Sequence, residues 1–481
     1  MISFLTALCV LIVGYFTYGF LMEKVFAVDK NRKTPAYTQQ DGVDYIPMSW
    51  WRLFLIQLLN IAGMGPIFGA IMGVVYGPAA FLWITFGAIF GGAVHDYFSG
   101  MMSVRSNGAS LPDLIGQHLG KSMKWIMLVF MFALLVQVGA VFVKGPAELL
   151  VAITPSYMNL NFFIILIFGY YVLATLLPID KIIGKLYPYF AAALLFMVLG
   201  VLVALIWHWP VINEVFDGLG NLHPNKEKMP IFPMMFVSIA CGAVSGFHAT
   251  QSPMVARCIE NEKYGLRIFY GAMLAEGVIA LVWAAAAIGF FQSVEGLQNY
   301  LGTHGNNAAI VVHTITFTWL GKVGAVLAML GVVIAPITSG DTALRSCRLM
   351  IADVFKWDQK PIWTRLAISI PIFVIVIFLL NIDFKILWRY FAWSNQTLSV
   401  FTFWTISLYL WKSHKNYWIA LIPAVFMTMV CGSYILMAPE GFAMNQNLAL
   451  IITAIFSLGL LVQFFAYLKR SKNSLAFNPE K

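Results

Sequence analysis

Residues Asn60-Ile61-Ala62-Gly63-Met64-Gly65-Pro66-Ile67-Phe68-Gly69 lie in the middle of an apolar segment, Trp51 to Tyr76, that is long enough to cross a bilayer. A spanning helix must satisfy every backbone polar group internally. Pro66 removes a donor and clashes with the preceding turn, while Gly63 and Gly65 loosen the backbone. This cluster predicts a broken helix, with Pro66 placed to start the second half, where its missing N–H costs little. A second apolar segment, Ile231 to about Gln251, is interrupted at Ser238-Ile239-Ala240-Cys241-Gly242-Ala243-Val244-Ser245-Gly246-Phe247-His248. Interrupted spans in corresponding positions of two halves are the sequence mark of a transporter binding site.

Composition fixes the broad class. Hydrophobic residues make up 60% of the chain and charged residues 11%, about half the charged share of a soluble domain. The chain is expected to be an all-α polytopic membrane protein in contact with lipid. Its formal net charge of +9 does not form a basic patch, so a nucleic-acid partner is not expected. Cys9, Cys241, Cys258, Cys347 and Cys431 contain no CxxC pair, which indicates neither a disulfide framework nor a zinc site. The apolar run from Phe4 to Leu21 lacks a basic flank and a clear cleavage site, and is expected to stay as a helix.

Apolar runs of bilayer length fall at about 3–22, 51–76, 79–104, 125–144, 161–178, 187–208, 231–252, 268–292, 321–343, 366–381, 388–411, 416–438 and 447–468, about 13 spans. With the N-terminus outside and the C-terminus inside, only Lys144, Lys226, Lys228, Lys322, Lys385 and Arg389 of the Lys and Arg residues fall on the outer side. That asymmetry is what the positive-inside rule demands. Residues 1–50 are then an N-terminal helix and cytoplasmic loop, and 412–481 two C-terminal helices and a tail. Between them lie a first five-helix repeat, 51–208, and a second, 231–411. An odd number of helices per repeat inverts the second against the first. Each repeat opens on its interrupted helix, the 5+5 plan of LeuT-like transporters.

The chain also resembles the carbon starvation protein A family of inner-membrane carriers, in a short form. The stretches that carry the resemblance are Thr34-Pro35-Ala36, Asp41-Gly42-Val43-Asp44-Tyr45, Ile61-Ala62-Gly63-Met64-Gly65-Pro66-Ile67 and Gly92-Ala93-Val94-His95-Asp96-Tyr97. Ser245-Gly246-Phe247-His248-Ala249, Thr338-Ser339-Gly340-Asp341-Thr342 and Ser394-Asn395-Gln396 complete it. The resemblance implies a fold similar to the amino acid–polyamine–organocation superfamily and uptake of peptides or pyruvate, with proton coupling in the pyruvate carriers.

Each helix break frees N–H groups at the start of one half and C=O groups at the end of the other. The amides of Met64, Gly65 and Ile67, shaped by Gly63 and Pro66, are expected to receive a substrate carboxylate. Gly242, Ser245 and Gly246 contribute from the second break. The alternative is that these glycines only permit close helix packing. In transporters of the 5+5 plan, a hydroxyl pair placed like Thr338 and Ser339 holds a sodium ion with carbonyls of the first break, here those of Ala62 and Gly65. Such hydroxyls also bond back to their own helix. Asp341 and Arg345, four residues apart, suit a structural ion pair or a part in ion coupling.

Glu276 lies within an apolar span, where a carboxylate is expensive, and is expected to be a proton carrier or a hydrogen-bond hub. His95 and Asp96 are adjacent, so no dyad between them is expected; a gate or a packing role is. His248, just past the second break, is a proton or substrate candidate. Asn395 and Gln396 either close the pocket or act as interhelical glue.

These expectations describe a secondary active transporter for a small carboxylate-bearing nutrient, with no cofactor beyond a coupling ion, H+ or Na+. An amino-acid carrier on the same scaffold is the nearest alternative. A polytopic enzyme would need a catalytic constellation that the scattered histidines do not offer. A nutrient sensor would need an output domain, and a primary pump a phosphate-binding loop; neither is present in the sequence.

Overall fold

A computed structural model describes residues 1–155, 157–176, 179–359 and 361–476. The described chain is helical, with a lone bridge between Met48 and Ile259 in place of any strand. Nine helices among the described residues are long and apolar enough to cross a membrane, or ten with the bent pair Trp50–Ile61 and Gly65–Val74. Three further expected spans fall short of that criterion. Leu160–Thr175 is apolar but short, and the expected span 161–178 ends on residues outside those described. Phe384–Lys412 is long but carries too many polar residues. The segment from residue 231 is split into Ile231–Met235, Phe236–Ser238 and His248–Ala256.

Burial ranks the helices. In Glu262–Phe290, 83% of the apolar window is buried inside the protein, and in Ala79–Arg105, 72%. At the other extreme stand Ile2–Phe26 with 28% and Gln446–Ser471 with 22%. The peripheral helices turn Phe16, Ile455, Leu458 and Val462 outward, as a lipid-facing surface requires in a span. The interior is where helix backbones approach closely, and that approach needs residues without a Cβ. A Cβ at Gly73 would lie 2.0 Å from Ile239, and one at Gly69 would lie 2.8 Å from the Ser238 carbonyl. The two interrupted helices therefore pack directly on each other, through glycines of the first.

One end of the bundle is tied by a half-buried ion pair. Arg105 donates from Nε and Nη2 to the two oxygens of Glu262, at 3.1 and 2.9 Å, and from Nη2 to the Ala27 carbonyl. Its guanidinium also lies 4.0 Å from the centre of the Phe26 ring. The clamp joins the end of Ile2–Phe26 to two central helices by the bidentate geometry that makes Arg–carboxylate pairs strong.

Candidate functional site

The first break begins where Ala62 leaves helical geometry (φ −82°, ψ 56°), and the two halves meet at a bend of 55°. The Ala62 amide still reaches the Leu58 carbonyl at 2.8 Å, but Gly63 N–H turns to Ile61 at 2.9 Å. That diversion removes the donor the Leu59 carbonyl would have used in a continuous helix. Ser339 supplies one instead, its hydroxyl lying 2.9 Å from the Leu59 oxygen. The carbonyls of Ala62 and Gly65 are the ones expected to share a sodium ion with this hydroxyl; the direct contact it makes is with Leu59, because a helix end orphans the carbonyls of its last turn. Both hydroxyls also bond back to their own helix, Ser339 to Ala335 at 3.0 Å and Thr338 to Ile334 and Ala335; among the described residues the Thr338 hydroxyl makes no hydrogen bond to the break.

The second half starts at Gly65, with Pro66 as its second residue. The Ile67 amide donates to Met64 O at 3.2 Å, so of the three amides expected to meet a carboxylate this one is already engaged. Gly65 itself is a packing glycine: a Cβ there would lie 2.3 Å from that of Cys241, on the second break.

The second break is longer and is held by side chains. Trp83 Nε1 donates to the Ile239 carbonyl at 3.3 Å, and Gly242 adopts φ +90°, open to glycine at little cost. Asn395 then acts as a cap for the helix His248–Ala256. Its Oδ1 accepts from the Phe247 amide at 2.6 Å and from the Ser245 hydroxyl at 3.0 Å. Gly246 N–H donates to the Asn395 carbonyl at 3.2 Å, and a Cβ on Gly246 would come within 2.3 Å of that oxygen. Gln396 Nε2 donates to Phe236 O at 2.8 Å. Both carboxamides thus fasten the broken helix in place.

Beside this break four ionisable side chains meet, all with no exposure to solvent. Asp96 stands at the centre. Its Oδ1 lies 2.8 Å from His95 Nδ1 and its Oδ2 lies 2.8 Å from His248 Nδ1. The other nitrogen of His248, Nε2, is 3.3 Å from Glu276 Oε2. His95 and Asp96 therefore do form a contact, against the expectation for neighbours on a helix. The reason is local: Nδ1 sits close to the histidine backbone and the aspartate arm is short, so the two reach each other alongside the helix.

Glycines let this cluster assemble. A Cβ at Gly92 would meet the Ala243 carbonyl at 2.3 Å, and one at Gly91 would meet Val244 at 2.6 Å. The segment leading into Ala93–Arg105 can thus lie against the second break. Cys241 joins the same cluster: one ligand atom each from Cys241, His248 and Glu276 lie within 4.8 Å of one another.

Asp341 is placed elsewhere. The Tyr187 hydroxyl lies 2.9 Å from its Oδ2 and 3.0 Å from the Thr338 carbonyl, and Arg345 donates to the Ala174 carbonyl. Of the site residues expected from sequence, one group lies around each break and Asp341 stands apart, with Tyr187.

Two residues that the sequence reading passed over lie on the first half-helix. Gln57 and Asn60 are fully buried, and all four of their polar side-chain atoms lack a hydrogen-bond partner among the described residues. Their spacing of one turn was visible in the sequence and puts them on one face. Cys241, Ser245 and His248 are likewise spaced i, i+4, i+7, a signal masked by the break.

The comparisons with known proteins agree with this architecture. The family model described as carbon starvation protein CstA matches residues 1–171 and 151–323. An uncharacterised membrane protein of Haemophilus influenzae is 45% identical over 62% of this chain and 94% of its own length. The peptide transporter CstA of Campylobacter jejuni is 26% identical over 88% of this chain and 78% of its own. The pyruvate/proton symporter BtsT of Escherichia coli is 29% identical over 58% of this chain, which spans about half (47%) of that relative's length. Among solved structures, a variant of the Eremococcus coleocola manganese transporter superposes with a TM-score of 0.55 at 14% identity, covering 89% of this chain and 99% of its own. That likeness concerns the fold alone. With a family model matching well over half its length, the chain belongs to the carbon starvation protein CstA family.

Proposed function

We propose that this chain is a secondary active transporter that imports a small carboxylate-bearing nutrient, a short peptide or pyruvate, by alternating access. The observation that carries the reading is the packing of two broken helices on each other beside the buried chain Asp96–His248–Glu276. Broken helices at membrane depth offer backbone dipoles to a substrate. Ionisable groups held at that depth mark ion or proton paths. The relatives named as a peptide transporter and a pyruvate/proton symporter support the same class.

In this reading the ten helices between residues 51 and 411 form two inverted five-helix repeats of LeuT-like plan, within about 13 spans in all. The protein lies in a bacterial inner membrane with its N-terminus outside and its C-terminus inside. The coupling ion is H+, handed along His248 and Glu276. Sodium is the alternative coupling ion, held by the oxygen lone pairs of Thr338 and Ser339, whose protons go to backbone carbonyls.

Gln57 and Asn60 favour a peptide, or an amino acid as the second reading, over pyruvate. Buried carboxamides need partners, and each offers both donors and acceptors. A peptide or an ammonium-bearing substrate can answer the acceptors; pyruvate, which only accepts, cannot. Uptake of labelled dipeptide, alanine and pyruvate into proteoliposomes, under separately imposed proton and sodium gradients, tests the proposal. Saturable dipeptide uptake driven by the proton gradient is expected. Absence of gradient-driven uptake of all three substrates overturns it.

A further inference from the structure

Polar atoms beside the second break form a donor set. Both Glu276 carboxylate oxygens and His248 Nε2 are buried, Nε2 stands 3.3 Å from Oε2, and the Gly242 amide and the Cys241 thiol lie beside them. With Cys241 Sγ they present one sulfur, one nitrogen and one oxygen within 4.8 Å of one another. We propose that Cys241, His248 and Glu276 bind a divalent transition-metal ion of the zinc class.

Three features of the geometry point to a metal ion. First, His248 Nε2 and Glu276 Oε2 lie 3.3 Å apart. Two bonds of about 2.0–2.1 Å at a tetrahedral angle span about 3.4 Å, so this edge of the site is already set. Second, the other ring nitrogen of His248 is held by Asp96 at 2.8 Å. A carboxylate on the far nitrogen fixes ring orientation and raises ligand basicity, as it does for metal-bound histidines. His95 in turn holds the second oxygen of Asp96.

Third, the Cys241 sulfur has a donor aimed at it: Asn395 Nδ2 lies 3.5 Å from Sγ. A sulfur, an imidazole and a carboxylate together favour zinc and its first-row neighbours over calcium or magnesium, which take oxygen. Three protein ligands leave a fourth position for water or a substrate oxygen. Cys241 lies within the break, His248 starts the helix that ends it and Glu276 belongs to Gly271–Phe290, so a bound ion ties the broken helix to its neighbour. The site stands whether or not the chain carries a carboxylate substrate, and an ion bound there takes the place of the proton that His248 and Glu276 otherwise pass.

The test is Co2+ added to the purified full-length protein in detergent, read by absorption, with Zn2+ competition and with Ca2+ as a control. One equivalent of Co2+ is expected to bind with a thiolate-to-cobalt charge-transfer band and the visible bands of a tetrahedral ion. Zn2+ displaces it and Ca2+ does not. Cys241→Ser removes the charge-transfer band, and Asp96→Asn weakens binding by about 10–100-fold. Should Cys241→Ser fail to fold, Glu276→Gln replaces it, keeping the thiolate band while lowering Co2+ affinity. The proposal is overturned by the absence of saturable Co2+ binding, by bound Co2+ without a thiolate band, or by a band unchanged in Cys241→Ser. These readouts need no transport, so failure here and failure of the transport reading are told apart.

Discussion

The two helix breaks use one device for different ends. The first is short, and its orphaned Leu59 carbonyl is answered by a single hydroxyl from Ser339. Its glycines serve close approach, Gly65 to Cys241 and Gly73 to Ile239. The second runs from Ile239 to Phe247, is pinned by Trp83 and Asn395, and gathers every ionisable group of the buried cluster. Backbone breakage by itself therefore does not make a charged site. Charge collects where neighbouring helices bring carboxylates to a histidine, and at the second break Asp96 of Ala93–Arg105 and Glu276 of Gly271–Phe290 both meet His248.

If this division is right, the largest effect comes from the charged side. Glu276→Gln is expected to remove accumulation driven by a proton gradient while leaving substrate exchange across the membrane intact. Ser339→Ala, at the first break, is expected to leave proton-driven accumulation standing. Proteoliposome uptake and counterflow measured on both variants decide it, and equal losses in the two would dissolve the contrast.

Next in size is the cap. Asn395→Ala orphans the Phe247 amide and the Ser245 hydroxyl, at about 1–3 kcal/mol for each buried group. A clear fall in the thermal unfolding midpoint in detergent is expected, and an unchanged midpoint would deny Asn395 its part in holding the second break.

Packing glycines sharpen the comparison further. Gly246→Ala drives a methyl group into backbone atoms of Asn395 and Ser399, which cannot step aside, whereas Gly65→Ala meets the side chain of Cys241. Overpacking of this kind costs about 1–3 kcal/mol. Adding Cys241→Gly should restore stability to Gly65→Ala, and no single side-chain truncation should restore Gly246→Ala. The double-mutant comparison of unfolding midpoints reads this directly.

The smallest effect lies outside the long apolar helices, on the short helix Leu111–Leu119. Burial first, and then the charge of Lys412, hold His118 at about 4 against an ordinary 6.5. The folded segment thus keeps the ring neutral where the opened segment takes up a proton. As pH drops from about 6.5 to about 4 the segment loses stability, and the loss is complete below the lower value. Amide exchange over residues 111–119, corrected for its intrinsic rate, should quicken across that window in the native chain and stay flat in His118→Asn.

Much of this protein was legible in one dimension. Proline and glycine act on the backbone of their own residues, so the interruptions at Gly63 to Pro66 and at Gly242 to Gly246 could be read where they stand. Hydropathy likewise located the membrane helices, because burial in lipid is a demand on every residue of a span. The glycines could be read as packing residues, though not which partner each would meet.

Tertiary structure decided the rest. Asp96 and His248 are 152 residues apart, and only the folded chain shows that one carboxylate serves two histidines and that Glu276 faces the second. The side chain of Ser339 reaches Leu59 across 280 residues, because a carbonyl three residues before the break, and not one inside it, lost its donor. Periodicity along a helix says which residues share a face. What that face meets is set by helix packing between segments far apart in the chain, and the chemistry of this site lies in those encounters.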